Sequence, residues 1–243
     1  MTPLNFGHPP KLIMTDNLAT KHIRTVRSYV RRLGRMTPRQ ERSIEEHGAF
    51  YIKSHEPNTI FDWPTVFESD NPIVVEIGFG QGDNLIHWAQ TYPDMNFLGI
   101  DVHTPGIGGC CFKCHELGLK NVRLMSHDAV EVLAQNISDN SLAEVHILFP
   151  DPWPKKKHHK RRLIQPAFLT LLAQKLQLGG ILHIATDWQE YADHILAVLS
   201  DSPTFSRLPD AQQASLRPRV MTRFEKKGLS KGHHITEIWL ARS

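Results

Sequence analysis

Ile73-Val74-Val75-Glu76-Ile77-Gly78-Phe79-Gly80-Gln81-Gly82 is the stretch on which the reading of this chain turns. Ile73 to Ile77 is a short β-branched run, which predicts a strand, and it breaks into glycine at every second position. Glycines there let the backbone turn through positive φ and let a ligand lie against bare main chain where a helix begins. A helix is expected next, over about 84–91, so the segment reads as the strand, turn and helix that open an α/β unit.

The alternation continues outward. Further strands are expected over 96–102, 122–125, 145–149 and 181–185, and helices over 105–117, 129–135, 166–176 and 188–199, the third closed by Gly179-Gly180. After 223–227 and a glycine-containing loop over 228–232, residues 234–241 alternate as an antiparallel edge hairpin would. The expected fold class is α/β, a mainly parallel, doubly wound sheet with an antiparallel C-terminal edge hairpin. Upstream, Arg24, Arg27 and Arg31 recur at helical spacing within 20–33. A second helix is expected over 38–47, and an aromatic linker follows from Phe50 to Phe67. This divides the chain into a basic arm and linker (1–70, its first 20 residues loosely attached) and an α/β domain (71–243).

A chain of 243 residues with 40% hydrophobic content buries one such domain plus an extension. It holds no run of about 18 apolar residues, and Met1 to Lys11 lacks the hydrophobic centre of a secretory signal, so a cytoplasmic protein without a membrane partner is expected. Net charge is only +3, but it is segregated. Residues 21–42 hold eight Lys/Arg against one acid and 155–162 hold six against none, leaving 14 bases against 24 acids elsewhere. That distribution favours a polyanionic partner, most simply nucleic acid. Cys110, Cys111 and Cys114 fall in one expected helix with no second pair to complete a zinc site, so they read as packed thiols and no metal is expected. Their odd number fits a reducing compartment.

Ahead of the second basic run stands Phe149-Pro150-Asp151-Pro152-Trp153-Pro154, where an apolar strand delivers one carboxylate into a proline-stiffened turn. Trp153 reads either as a stacking surface for a base or as a packed rim residue. Glu76, Asp101 and Asp128 each stand at the end of an expected strand, the edge where such sheets bind ligands. Asp101 is placed to accept two ribose hydroxyls; Asp128 reads either as an adenine acceptor or as a helix N-cap. A dinucleotide fingerprint would need glycine where Asp83 stands, which disfavours a nicotinamide cofactor.

Alternating glycines behind an acid resemble instead the S-adenosylmethionine (SAM) loop of Rossmann-like methyltransferases. From 24 to 240 the chain is similar to the bacterial, monomer-type tRNA (guanine-N7) methyltransferases. The likeness rests on 30–35 (VRRLGR), 76–82 (EIGFGQG), 97–103 (FLGIDVH), 127–133 (HDAVEVL), 149–155 (FPDPWPK), 158–162 (HHKRR), 185–188 (ATDW) and 222–225 (TRFE). It implies a Rossmann-like SAM-dependent methyltransferase fold and methyl transfer from SAM to N7 of a guanine, at position 46 in the variable loop of tRNA. It further implies SAM contacts from Glu76, Asp101, Asp128 and Asp151, beside the loop glycines Gly78, Gly80 and Gly82. Substrate contacts come from Lys155, Asp187, Thr222, Arg223, Phe224 and Glu225. Asp101 stands where many members carry Glu, and Arg223 where many carry Lys; both keep the charge. From the basic runs, Arg27, Arg31, Lys156, Lys157, Lys160, Arg161 and Arg162 are the expected RNA contacts, on a monomer or weak homodimer.

Guanine N7 offers a lone pair at neutral pH and gains positive charge when methylated. Asp151 is therefore expected as the catalytic residue that orients the base and offsets that charge, not as an obligatory general base. Two other readings share parts of the pattern. A methyltransferase acting on rRNA or DNA would use the same glycine loop, and a non-catalytic RNA-binding protein would account for the basic runs but not for the acids.

Overall fold

The computed structural model of the chain describes residues 28–29, 35–52, 56–213 and 216–243. Arg27, Arg31 and the helix expected over 20–33 lie outside them, apart from Ser28 and Tyr29. In order come α1 (Pro38–Glu46), a 3₁₀ turn (Gly48–Phe50), β1 (Tyr51–Ile52), α2 (Trp63–Phe67), β2 (Ile73–Ile77), α3 (Asp83–Thr91), β3 (Asn96–Asp101) and α4 (Thr104–Glu116). They are followed by β4 (Val122–Ser126), α5 (Ala129–Asn136), β5 (Leu142–Leu148), a 3₁₀ segment (Lys156–Arg161), α6 (Pro166–Lys175), β6 (Leu176–Thr186) and α7 (Gln189–Ser200). The chain closes with β7 (Phe205–Arg207), α8 (Asp210–Gln213), α9 (Arg223–Leu229) and β8 (Thr236–Arg242).

One eight-stranded sheet has the order β1-β4-β3-β2-β5-β6-β8-β7, parallel except where β8 pairs with β6 and β7. All five residues of β2 are buried, because helices cover both faces of a parallel sheet. Val75 and Ile77 face a core shared with α5, α6 and α7, while Val74 faces α3 and α4. Glu76, one step further along the pleat, faces α3 and α4 too. The three cysteines are buried on α4 in that second core. Successive strands leave β2 in both directions, through β3 on one side and β5 on the other, which opens a crevice at the carboxyl ends of the strands.

Three local expectations are corrected. Gly179-Gly180 does not close a helix: α6 ends at Lys175, β6 begins at Leu176, and the glycines sit in a bulge that shifts its register against β5 between Leu142 and Glu144. The strand expected at 145–149 spans Leu142–Leu148, and Phe149 leaves it at φ 55°. The C-terminal antiparallel pair at the sheet edge is β7 with β8, joined by a long connection through α8 and α9 instead of a tight turn. Among the described residues no helix is long and apolar enough to cross a membrane.

Candidate active site

A cavity of about 950 Å³ opens at the carboxyl ends of β2 to β5. After β2 the backbone turns through Gly78, Gly80 and Gly82 at φ 76°, 59° and 75°, a conformation that side chains with a Cβ rarely adopt. Gly78 and Gly80 line the cavity. Gly82 does not; it is the N-cap of α3, packed against Cys110 of α4. Its place is structural.

The acids expected at the strand ends converge on this cavity: Glu76, Asp101, Asp128 and Asp151 all contribute to its wall. Oδ2 of Asp101 accepts the Gly80 N–H at 2.8 Å and Oδ1 accepts the His103 N–H at 2.8 Å. Burial nevertheless raises the Asp101 pKa, with those bonds pulling the other way. Asp128 is the N-cap of α5, its Oδ1 accepting the Val130 N–H at 2.9 Å, and it lines the cavity as well. Glu76 is 3% exposed, and its Oε2 is buried with no hydrogen-bond partner. Burial first, then the charges of Asp101 and Asp83, push its pKa up to about 8.

Asp151 is exposed on the cavity wall between Pro150 and Pro152. The turn that presents it is strained at both ends, with Phe149 at φ 55° and Trp153 at φ 46°. Non-glycine residues in that region cost of order 1–3 kcal/mol each and persist where surrounding contacts enforce them. The contacts are visible. Phe149 N–H donates to Ala185 O at 2.8 Å, Trp153 Nε1–H donates to Ser28 O at 2.9 Å, and Arg162 Nε donates to Pro152 O at 2.9 Å. Trp153 lines the cavity with the Arg161 guanidinium 5.0 Å from its ring centre, so it has a packed and an open aspect.

The basic run divides. Lys155, Lys156, Lys157 and Lys160 are exposed on or next to the 3₁₀ segment. Arg162 departs from the expectation of an RNA contact: it is 3% exposed, paired with Glu190 at 3.1 Å and laid over the Tyr191 ring. A guanidinium so enclosed cannot reach a phosphate; it holds the Asp151 turn.

Thr222 and Glu225 form a reciprocal capping box that starts α9, which also carries Arg223 and Phe224. Thr222 lines the cavity, whereas Glu225 is buried beneath it and gripped by both Nη atoms of Arg219. Asp187 and Lys155 also lie outside the wall. Oδ2 of Asp187 accepts from Nδ1–H of His233 at 3.1 Å, and α9 approaches it so closely that a Cβ on Gly228 would come within 2.6 Å of Oδ2. Sequence reasoning missed Lys227, which lines the cavity two residues beyond the 222–225 motif, and Arg219, which carries no motif.

Residues 70–238 match the family described as "Putative methyltransferase". The tRNA (guanine-N(7)-)-methyltransferase of Vibrio cholerae serotype O1 (strain M66-2) is 45% identical over 226 residues, covering 92% of this chain and 94% of that protein. The protein of the same description from Colwellia psychrerythraea (strain 34H / ATCC BAA-681) is 42% identical over 224 residues, covering 91% of each. Among solved structures, a 16S rRNA methyltransferase, KamB, shares the fold at TM-score 0.53 and 14% identity over 76% of this chain and 94% of its own. A Rossmann-like α/β sheet, acids gathered at its carboxyl edge and relatives of this closeness along nearly the whole length lead to one assignment: the chain belongs to the tRNA (guanine-N7)-methyltransferase family.

Proposed function

We propose that this protein uses SAM to methylate N7 of a guanine in tRNA, at position 46 of the variable loop. The observation that carries the reading is the one cavity whose wall holds Glu76, Asp101, Asp128 and Asp151 together with the glycine loop. SAM fits that donor set. It is cationic where Glu76 holds a buried, unpartnered oxygen, and it carries vicinal hydroxyls and an amino group that suit two further carboxylates. When bound it supplies an electrophilic methyl group.

The chain's own residues then bind and orient. Asp101 serves the ribose through the lone pairs left after Gly80 and His103, and Asp128 serves the base amino group. Guanine N7 needs no deprotonation, so no residue has to remove a proton before transfer. Asp151, fixed by its prolines and by Arg162, orients the guanine and offsets the positive charge that grows on its ring. Thr222 and Lys227 face the same space from α9, and Asp187 sets the position of α9 through its close contact at Gly228. Lys155, Lys156, Lys157 and Lys160 meet the tRNA backbone, joined by Arg161 and, from the arm, by Arg27 and Arg31. In this reading residues 1–70 serve as the RNA-binding arm of a catalytic domain at 71–243.

The test is incubation with methyl-labelled SAM and bulk unmodified tRNA, followed by mapping of the labelled base. Label at a guanine N7 in the variable loop supports the proposal. Label in rRNA or DNA offered in competition, with none in tRNA, overturns it.

A further inference from the structure

Residues 217–220 are fastened to α3 by their backbone. Trp88 Nε1 donates to Pro218 O at 2.8 Å, and the Val220 N–H donates to Oδ1 of the buried Asn84 at 2.7 Å. Arg217, one residue earlier, donates through Nε to Oε2 of Glu144 at 3.1 Å, with its guanidinium over the Tyr92 ring. The chain on either side of Arg219 is therefore held, and the Arg219 side chain is only 9% exposed.

There the guanidinium meets three elements that shape the active site. Nε donates to Oε1 of Glu237 on β8 at 2.7 Å, and Nη2 donates to Oε1 of Glu225 on α9 at 2.9 Å, with Nη1 on the other oxygen. The guanidinium carbon lies 5.4 Å from the ring centre of Phe149. Both oxygens of Glu225 are thus occupied, Oε2 also accepting the Thr222 N–H at 3.2 Å. Expected as a substrate contact, Glu225 acts on the cavity through the helix it caps, whose Thr222 and Lys227 form part of the wall. α9 has seven residues, too few to hold a helix in water unaided, so its place depends on such contacts. Phe149 begins the Asp151 turn at φ 55°, and a residue so strained persists where its neighbours enforce it.

We propose that Arg219, which does not itself line the cavity, is a positioning residue for methyl transfer: its guanidinium ties the start of the Asp151 turn to the start of α9 and so sets the two walls between which the guanine lies. The role rests on the assignment of this cavity to guanine methylation. It requires arginine. A lysine ammonium keeps the charge but has no planar fork, so it cannot pair with Glu225 and Glu237 and cover the Phe149 ring at once. Arg217 is the internal comparison, an ion pair from the same segment whose partners, Glu144 and Tyr92, lie outside the cavity wall.

Arg219→Ala would strip the buried Glu225 of its counter-charge and endanger the fold, so the test uses Arg219→Lys, with Arg217→Lys beside it. With rates expressed per SAM-binding site counted by calorimetry, Arg219→Lys should lower kcat roughly ten- to hundred-fold while SAM affinity and KM for tRNA stay within about three-fold of the native protein. Arg217→Lys should keep kcat within about three-fold. A native kcat in Arg219→Lys, or an equal loss in both variants, overturns the proposal. A second arm needs neither SAM nor tRNA. Amide hydrogen exchange followed by NMR should quicken about ten-fold in Arg219→Lys at Phe149, Glu225 and Lys226. Faster exchange in α9 alone would show that the guanidinium holds the helix and not the turn, which overturns the tie. Native protein that leaves tRNA unmethylated strikes the substrate assignment, and the exchange pattern then still decides whether Arg219 joins the two walls.

Discussion

The backbone N–H of Gly80 donates to Oδ2 of Asp101 at 2.8 Å, which joins the loop after β2 to the acid that ends β3. The carboxylate therefore both shapes the glycine turn and faces the cavity, and its removal acts twice.

Asp101→Ala is expected to weaken SAM binding by about 30- to 150-fold, the loss of a charged double hydrogen bond worth roughly 2–3 kcal/mol. Titration calorimetry on the folded variant reads this directly. Unchanged affinity would remove Asp101 from the cofactor site.

Glu76 makes the unliganded protein pH-sensitive with a definite sign. Its carboxyl is raised from 4.5 to about 8, so between those values the folded state binds the proton that the unfolded state has lost. Stability without ligand should then fall as pH rises through that window, and Glu76→Gln should flatten the decline. A cationic ligand favours the carboxylate, so SAM binding near neutral pH should release a proton. Calorimetric heats that differ between buffers of unlike ionisation enthalpy in the native protein, and coincide in Glu76→Gln, are the expected pattern.

Asp151 lines the same cavity as Glu76, Asp101 and Asp128 from its proline-bracketed turn, so Asp151→Ala should weaken SAM binding only in part and lower the single-turnover methyl-transfer rate by about 10² or more. A near-normal rate would make the strained turn a structural device only.

Neighbours in one basic run should fail in different ways. Lys157→Ala should reduce the slope of log tRNA affinity against log salt by roughly 0.7–0.9, as the loss of one single-strand or duplex phosphate contact does. Arg162→Ala removes a buried guanidinium from Glu190, Pro152 O and the Tyr191 ring. It should cost about 2 kcal/mol of stability, chiefly from the Pro152 carbonyl left without a donor, measured by denaturant unfolding, and leave the salt slope unchanged. A changed slope with intact stability would return Arg162 to the RNA surface.

What the sequence determined by itself was whatever rests on local period and local turn chemistry. The β-branched run of β2, the glycine loop and the alternation of strands and helices follow from rules that span a few residues, and they sufficed for the sheet and for the four acids at its edge. β1, with two residues, and β7, with three, are too short to carry a period and exist only through pairing with β4 and β8. The tertiary structure alone separated Arg162 from the exposed lysines beside it, because burial depends on Glu190 and Tyr191 of α7, far along the chain. It alone brought Arg219 to Glu237 and Phe149. Such a cluster is assembled from separate strands, and no window of sequence contains it.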